Sequence, residues 1–246
     1  MKELAKKEVE DRSLDVLHFL NLGIKKNNTP IAEQLEMVLK MYKYVVQNIK
    51  PISSFGMAEQ ASSEEVSSSA SSSDDKKRFA FEKLRQALIS NPGDSASNVI
   101  LLNYLLYLKG FKSCIVLSES RNQKGEGHLS NLIEVGKDDW YFFDPSLERI
   151  NFVEDQFGNP DEFSYNWAGL GMNYYSRFYR PIAALKEVGA EERPISSFNV
   201  SDEPILREIV ESVGKRIPDL SYEPKISTQS EPSEKTYENK EKGRDE

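Results

Sequence analysis

Several function classes are excluded by what the sequence lacks. It holds one cysteine, Cys114, so no internal disulfide can form. Its two histidines have no cysteine partners, so neither a zinc site nor any other metal or cofactor is expected. Lys and Arg number 32 against 40 Asp and Glu, a net charge of −8, which argues against nucleic acid as a partner because phosphate binding needs a basic surface. No apolar run approaches the ~20 residues that cross a bilayer, so no membrane span is expected. The opening "MKELAKKEVEDRSLD" carries no apolar signal-peptide core, which leaves a cytoplasmic protein or one exported with its leader removed. With 38% hydrophobic and 10% aromatic residues, the chain can still build a real core.

Polar residues are concentrated in identifiable stretches. Residues 1–55 read as an N-terminal helical segment packed on the core. Within it "LDVLHFL" (14–20) is a short apolar stretch. Farther on, Ile31, Leu35, Val38, Leu39, Tyr42, Val45 and Val46 recur at helical spacing, with Thr29 as N-cap and Pro30 in the first helical position. Residues 56–78, centred on "ASSEEVSSSASSSDD", are too poor in apolar groups to offset ordering entropy and read as a flexible loop. A core follows over 79–185, then a helical extension over 186–221, in which "SDEPILREIVESVGKRI" is opened by Ser201 or Asp202. A disordered tail spans 222–246.

Inside 79–185 the pattern is that of an α+β domain. The segment from Ala96 to Leu108 is apolar on almost every side, as a central buried helix must be, and Gly110 ends it. Three strands follow at 113–118, 128–135 and 140–144, the last two joined by a turn at "GKDD". One helix before an antiparallel meander predicts a central helix packed on an antiparallel sheet.

Three polar residues stand at chemically useful points of this layout. Ser95 opens the buried helix, where free N–H groups and the positive dipole end stabilise an anion. His128 opens the second strand and Asp144 closes the third. A histidine can take a proton from a nucleophile, and a carboxylate behind it fixes the imidazole tautomer. Strand register tests the grouping. If Val135 pairs with Trp140, His128 and Asp144 point to opposite faces. If Glu134 pairs with Trp140 across five residues, they share one. The triad therefore demands an odd-length loop or a bulge near Gly136 or Lys137.

The string "GDS…NYLLYLKGFKSCIVLSES…GEGHLSNLIEV…DDWYFFDPS" resembles the core of the transglutaminase-like superfamily of papain-type cysteine enzymes. Gly93 and Ser95 match the Gly-x-Cys that opens the family's central helix, and Gly110 falls fifteen residues after Ser95. Gly127, His128 and Asn131 match its Gly-His-x-x-Asn strand; Trp140, Tyr141, Asp144, Pro145 and Ser146 match the strand end. The resemblance covers about residues 80 to 148. It implies a papain/transglutaminase-like fold and amide acyl transfer or hydrolysis on a polypeptide or peptide substrate. The implied roles are Ser95 as nucleophile, His128 as base and acid, and Asp144 as orienter.

The departure falls on the nucleophile, where Ser95 replaces cysteine. A thiolate can rest in an ion pair with imidazolium; a hydroxyl is too weakly acidic and depends on the histidine during attack. Inactivity is the expectation, and three accounts stay open: an engineered replacement, a natural pseudoenzyme that binds a peptide or partner protein, or an active serine variant. Plainer readings stand beside these. Asp94 and Ser95 are both good helix caps, Asp144-Pro145 is a good strand-ending turn, and Cys114 reads as a small hydrophobe within a strand.

Overall fold

The structure is a computed structural model that describes residues 2–51, 72–90, 92–123, 126–155, 163–188 and 190–220. The expected Ser-rich loop, as far as residue 71, and the expected tail over 222–246 lie outside the described residues. Helix α1 runs Lys2–Phe19 and α2 Ile31–Asn48. Strand β1 (Lys50–Pro51) pairs in parallel with β2 (Pro92–Gly93), and α3 (Ser73–Ser90) lies between them in sequence. Helix α4 (Ser95–Leu108) leads into β3 (Ser113–Ser120), β4 (Gly127–Glu134) and β5 (Trp140–Phe143). Then come α5 (Pro145–Asp155), β6 (Ala168–Leu170), the single turn α6 (Met172–Tyr175), β7 (Tyr179–Leu185), β8 (Arg193–Pro194), a short 3-10 turn Ile195–Ser197 and α7 (Arg207–Gly214).

The main sheet is antiparallel with six strands in the order β6-β5-β4-β3-β7-β8. Alternation along its strands sends side chains to two faces, and both are buried. Ile115, Leu117, Leu129 and Ile133 pack with the helices in one core that also takes in Val16, Tyr42, Leu102 and Val213. Val116, Leu132, Phe142 and Ala184 form the second core, capped by Tyr175 and Ile195 with Trp140, Trp167 and Phe198 around them. Apolar groups on all sides of α4 have partners accordingly: Val99, Leu101, Leu102, Leu105 and Leu106 are buried. The mixed α and β architecture with a helix on an antiparallel sheet matches the sequence reading, and α1, α2 and α7 complete the same core.

Several boundaries differ. Helix α1 is far longer than the 14–20 stretch, because a narrow buried seam of Val9, Ser13, Val16 and Leu17 is enough to seat it. Thr29 does not cap α2; Pro30 stands at the cap, and the Thr29 hydroxyl accepts from the Lys26 N–H at 2.8 Å. Residues 73–78 are helical rather than loop, opened by Ser72, whose Oγ accepts from the Asp75 N–H at 3.2 Å and donates to the Asp75 carboxylate at 2.8 Å. The sheet runs past residue 185, since β8 pairs with β7. Residues 201–206 are not helical. The Ser201 and Asp202 carbonyls accept from Met172 and Asn173 at 2.8 and 3.0 Å, and the Ile205 N–H donates to Gly169 at 2.9 Å. That crossing brings the Glu203 backbone onto Gly171, where a Cβ would collide with it.

Candidate functional site

Register decides the site. Glu134 pairs with Trp140 and Asn131 with Phe143, so five residues, 135–139, bridge β4 and β5. Gly136 at φ +97° and Asp138 at φ 64° take the left-handed turns this loop needs. His128 and Asp144 consequently share one face, as the odd-length loop requires, and they touch: His128 Nε2–H donates to Asp144 Oδ2. Both side chains are buried, at 4% and 0% exposure.

Asp144 is fixed from every side. It caps α5, with Pro145 in the first helical position and the Leu147 N–H donating to Oδ1 at 3.1 Å. The turn reading of Asp144-Pro145 was thus half of the answer, since the second carboxylate oxygen holds His128. The Asp144 N–H donates to the Trp167 carbonyl at 2.9 Å, and the Asp144 carbonyl accepts from the Tyr42 hydroxyl at 3.0 Å. Behind it lies Glu148, 1% exposed, whose carboxylate accepts from the Tyr42 hydroxyl at 3.1 Å, Ser164 Oγ at 3.2 Å and the Trp167 N–H at 2.7 Å. Burial pushes the Glu148 pKa above its ordinary value, against the pull of these hydrogen bonds.

His128 is held in plane as well. Tyr179 stacks on the imidazole, with centroids 4.1 Å apart and planes at 16°. Beside it the buried Tyr175 hydroxyl bonds Ser118 Oγ at 3.1 Å and Ser130 Oγ at 2.9 Å, and its ring stacks on Phe142 at 4.0 Å. Burial raises the Tyr175 pKa strongly, so this hydroxyl keeps its proton.

Ser95 is half-buried and is the first residue of α4. The cap itself is Asp94: its carboxylate accepts from the Ser97 N–H at 2.9 Å and the Ser97 hydroxyl at 2.8 Å, and it is paired with Lys83. Ser95 is therefore relieved of capping. Its carbonyl accepts from Ser146 Oγ at 3.2 Å, which ties the start of α4 to the start of α5, two residues beyond Asp144. Asn131 Nδ2 donates to the Val99 carbonyl at 3.0 Å and fastens the same helix to β4. Among the described residues no hydrogen bond joins the Ser95 hydroxyl to His128. The structure thus brings His128 and Asp144 into contact but, among the described residues, bonds Ser95 to neither; on β4, Asn131 turns toward α4, whereas His128 shares the opposite face with Ser130 and Leu132.

The sequence reading missed Tyr42, Glu148, Tyr175 and Tyr179. Tyr42 had appeared only as one of the apolar repeats of α2, and nothing local marks the other three. Cys114 lies in the second core, and burial pushes its thiol up to about 11. Among the described residues no group of three His, Cys, Asp or Glu is placed to hold a metal ion, and no helix is long and apolar enough to cross a membrane. A cleft of about 1070 Å³ opens elsewhere, and none of Ser95, His128 and Asp144 lines it. Comparison with protein-family models finds no match to this chain, and comparison with curated proteins finds none either.

Proposed function

We propose that Ser95, His128 and Asp144 form a transglutaminase-like site for amide acyl transfer or hydrolysis on a polypeptide, with a papain-type fold around it and serine where such a site carries cysteine. The observation supporting this reading is the buried His128–Asp144 pair, with Ser146, two residues beyond Asp144, bonded to the first residue of the core helix. Asp144 engages Nε2, so Nδ1 is the ring nitrogen that takes the proton from the nucleophile. The nucleophile's oxygen attacks the amide carbonyl; His128 then passes the proton to the leaving amine, and an acyl-enzyme remains until water or another amine removes the acyl group. The Ser95 N–H at the helix end faces the developing oxyanion. Nucleophile-to-base hydrogen bonds are often long before substrate arrives, which fits the unbonded hydroxyl here.

A second reading is a non-catalytic module that holds a peptide or partner protein. Two observations favour it: the hydroxyl does not meet the imidazole, and the dyad is buried under Tyr179. Ser95→Cys separates the two readings. Under the first, iodoacetamide alkylates Cys at position 95 with a midpoint pH well below the ~8.5 of an ordinary thiol, and His128→Ala in the same background abolishes the shift. An ordinary midpoint that His128→Ala leaves unmoved overturns the acyl-transfer site. The buried Cys114 supplies the internal slow-reacting control.

A further inference from the structure

The cleft of about 1070 Å³ lies at the opposite end of the sheet from the dyad. It opens around Ser113 and Cys114 at the start of β3, whereas Ser118, five residues on, is the β3 residue paired with His128. At ~3.4 Å per residue the two places are separated by roughly 17 Å. The size is that of a small-molecule site, which is typically concave, apolar and furnished with a few polar groups.

Its walls and its rim differ in chemistry. Phe81 and Leu84 of α3, Ile100 and Tyr104 of α4, and Trp140 and Phe198 make apolar walls. Four cationic side chains, Lys77, Lys112, Lys186 and Arg193, stand around them against two anionic ones, Asp138 and Glu187. This balance reverses that of the chain, whose net charge is −8. Lys112 is committed to Glu134 at 2.8 Å and lies 4.0 Å from Asp138. Lys186 and Arg193 are exposed and, among the described residues, in no ion pair. The Arg193 guanidinium stacks over Phe198 at 4.7 Å, which holds a cation directly above an apolar wall. The charges of Arg193 and Lys186 reach the cleft interior, since both pull the Cys114 thiol pKa down against burial.

We infer that this cleft binds an amphipathic organic anion, its apolar body against Phe81, Ile100 and Trp140 and its anionic head against Lys186 and Arg193. Charge alone does not define the ligand, because the apolar walls would leave a bare inorganic anion without partners. Apolarity alone does not either, because an uncharged chain leaves the two cations unused. The site is independent of the acyl-transfer reading, and a ligand there need not meet the dyad.

Calorimetric titration of the full chain with dodecanoate, dodecyl phosphate and an uncharged dodecyl maltoside, each below its micelle concentration, tests the inference. Saturable binding at one site per chain is expected for one or both anions and not for the maltoside, and the better of the two identifies the head group. Lys186→Glu/Arg193→Glu weakens that binding by at least about tenfold, the loss of one charge-assisted contact. Arg193→Gln alone, which removes the charge over Phe198 and is expected to weaken binding by a smaller factor, is a second variant should the double variant melt early. Equal affinity for maltoside and anions, affinity unchanged in the variants, or no saturable binding overturns the inference. So does binding of an oligoglutamate peptide without either amphiphile, which would mark an acidic protein partner instead.

Discussion

Glu148 offers the most stringent test of how the site is held. It is a carboxylate sealed behind Asp144, and it accepts the Tyr42 hydroxyl, Ser164 Oγ and the backbone N–H of Trp167. Glu148→Leu removes every one of those acceptors while keeping a similar volume. Tyr42 retains an alternative in the Asp144 carbonyl, 3.0 Å away, but the Trp167 N–H and the Ser164 hydroxyl are left without their acceptor. At about 1–3 kcal/mol for each orphaned donor, the loss is roughly 2–5 kcal/mol, reduced by relief of the carboxylate's own desolvation. Urea unfolding followed by far-UV circular dichroism, with the slope unchanged, measures it. A 3 kcal/mol loss lowers Tm by roughly 6–12 °C in a chain of this size.

Linkage supplies an independent arm. Burial raises the Glu148 pKa, so the folded protein holds that proton more tightly than the unfolded chain. The corresponding stability is fully present below the unfolded value of about 4.3 and is lost as pH rises through the folded pKa. Glu148→Gln abolishes that portion of the pH dependence and turns an amide group toward backbone donors, which also costs about 1–3 kcal/mol. Stability within 0.5 kcal/mol of the parent for both variants, with the pH profile unchanged, would refute the network as described.

Two more outcomes follow from packing. Cys114, 5% exposed at the cleft wall and with its thiol raised to about 11, will react with a disulfide reagent at pH 8 far more slowly than in denaturant; equally prompt labelling of native protein would contradict its burial. Gly93→Ala will destabilise by about 1–3 kcal/mol in the same urea assay, because a Cβ there runs into Ile49 Cγ2 and lies 2.9 Å from Ser97 Cβ; a neutral result would mean that β1 and β2 do not lie together as described.

Periodicity and turn chemistry act over short distances, and what depends on them was legible in the chain. The repeat from Leu35 to Val46 specified α2, the uniformly apolar α4 had to be central, and the arithmetic of β4 and β5 stated which loop length would bring His128 and Asp144 to one face. The boundaries that went astray were settled by distant partners. Residues 201–206 look helical alone, yet their backbone groups are taken by Gly169, Met172 and Asn173. The 73–78 stretch looks too polar to order, yet it begins a helix whose later turns are covered by α4.

The site divides the same way. The sequence by itself put forward Ser95, His128 and Asp144 as candidates and showed that Asp94 and Ser95 compete to cap one helix, since caps and strand ends are local features. Tertiary structure alone decided that Asp94 takes the cap, that Tyr42 reaches Asp144 across 102 residues, and that among the described residues the Ser95 hydroxyl bonds neither His128 nor Asp144. Hydrogen bonds of that span depend on how whole elements pack, and no short-range pattern of residues encodes the distance between two helix ends.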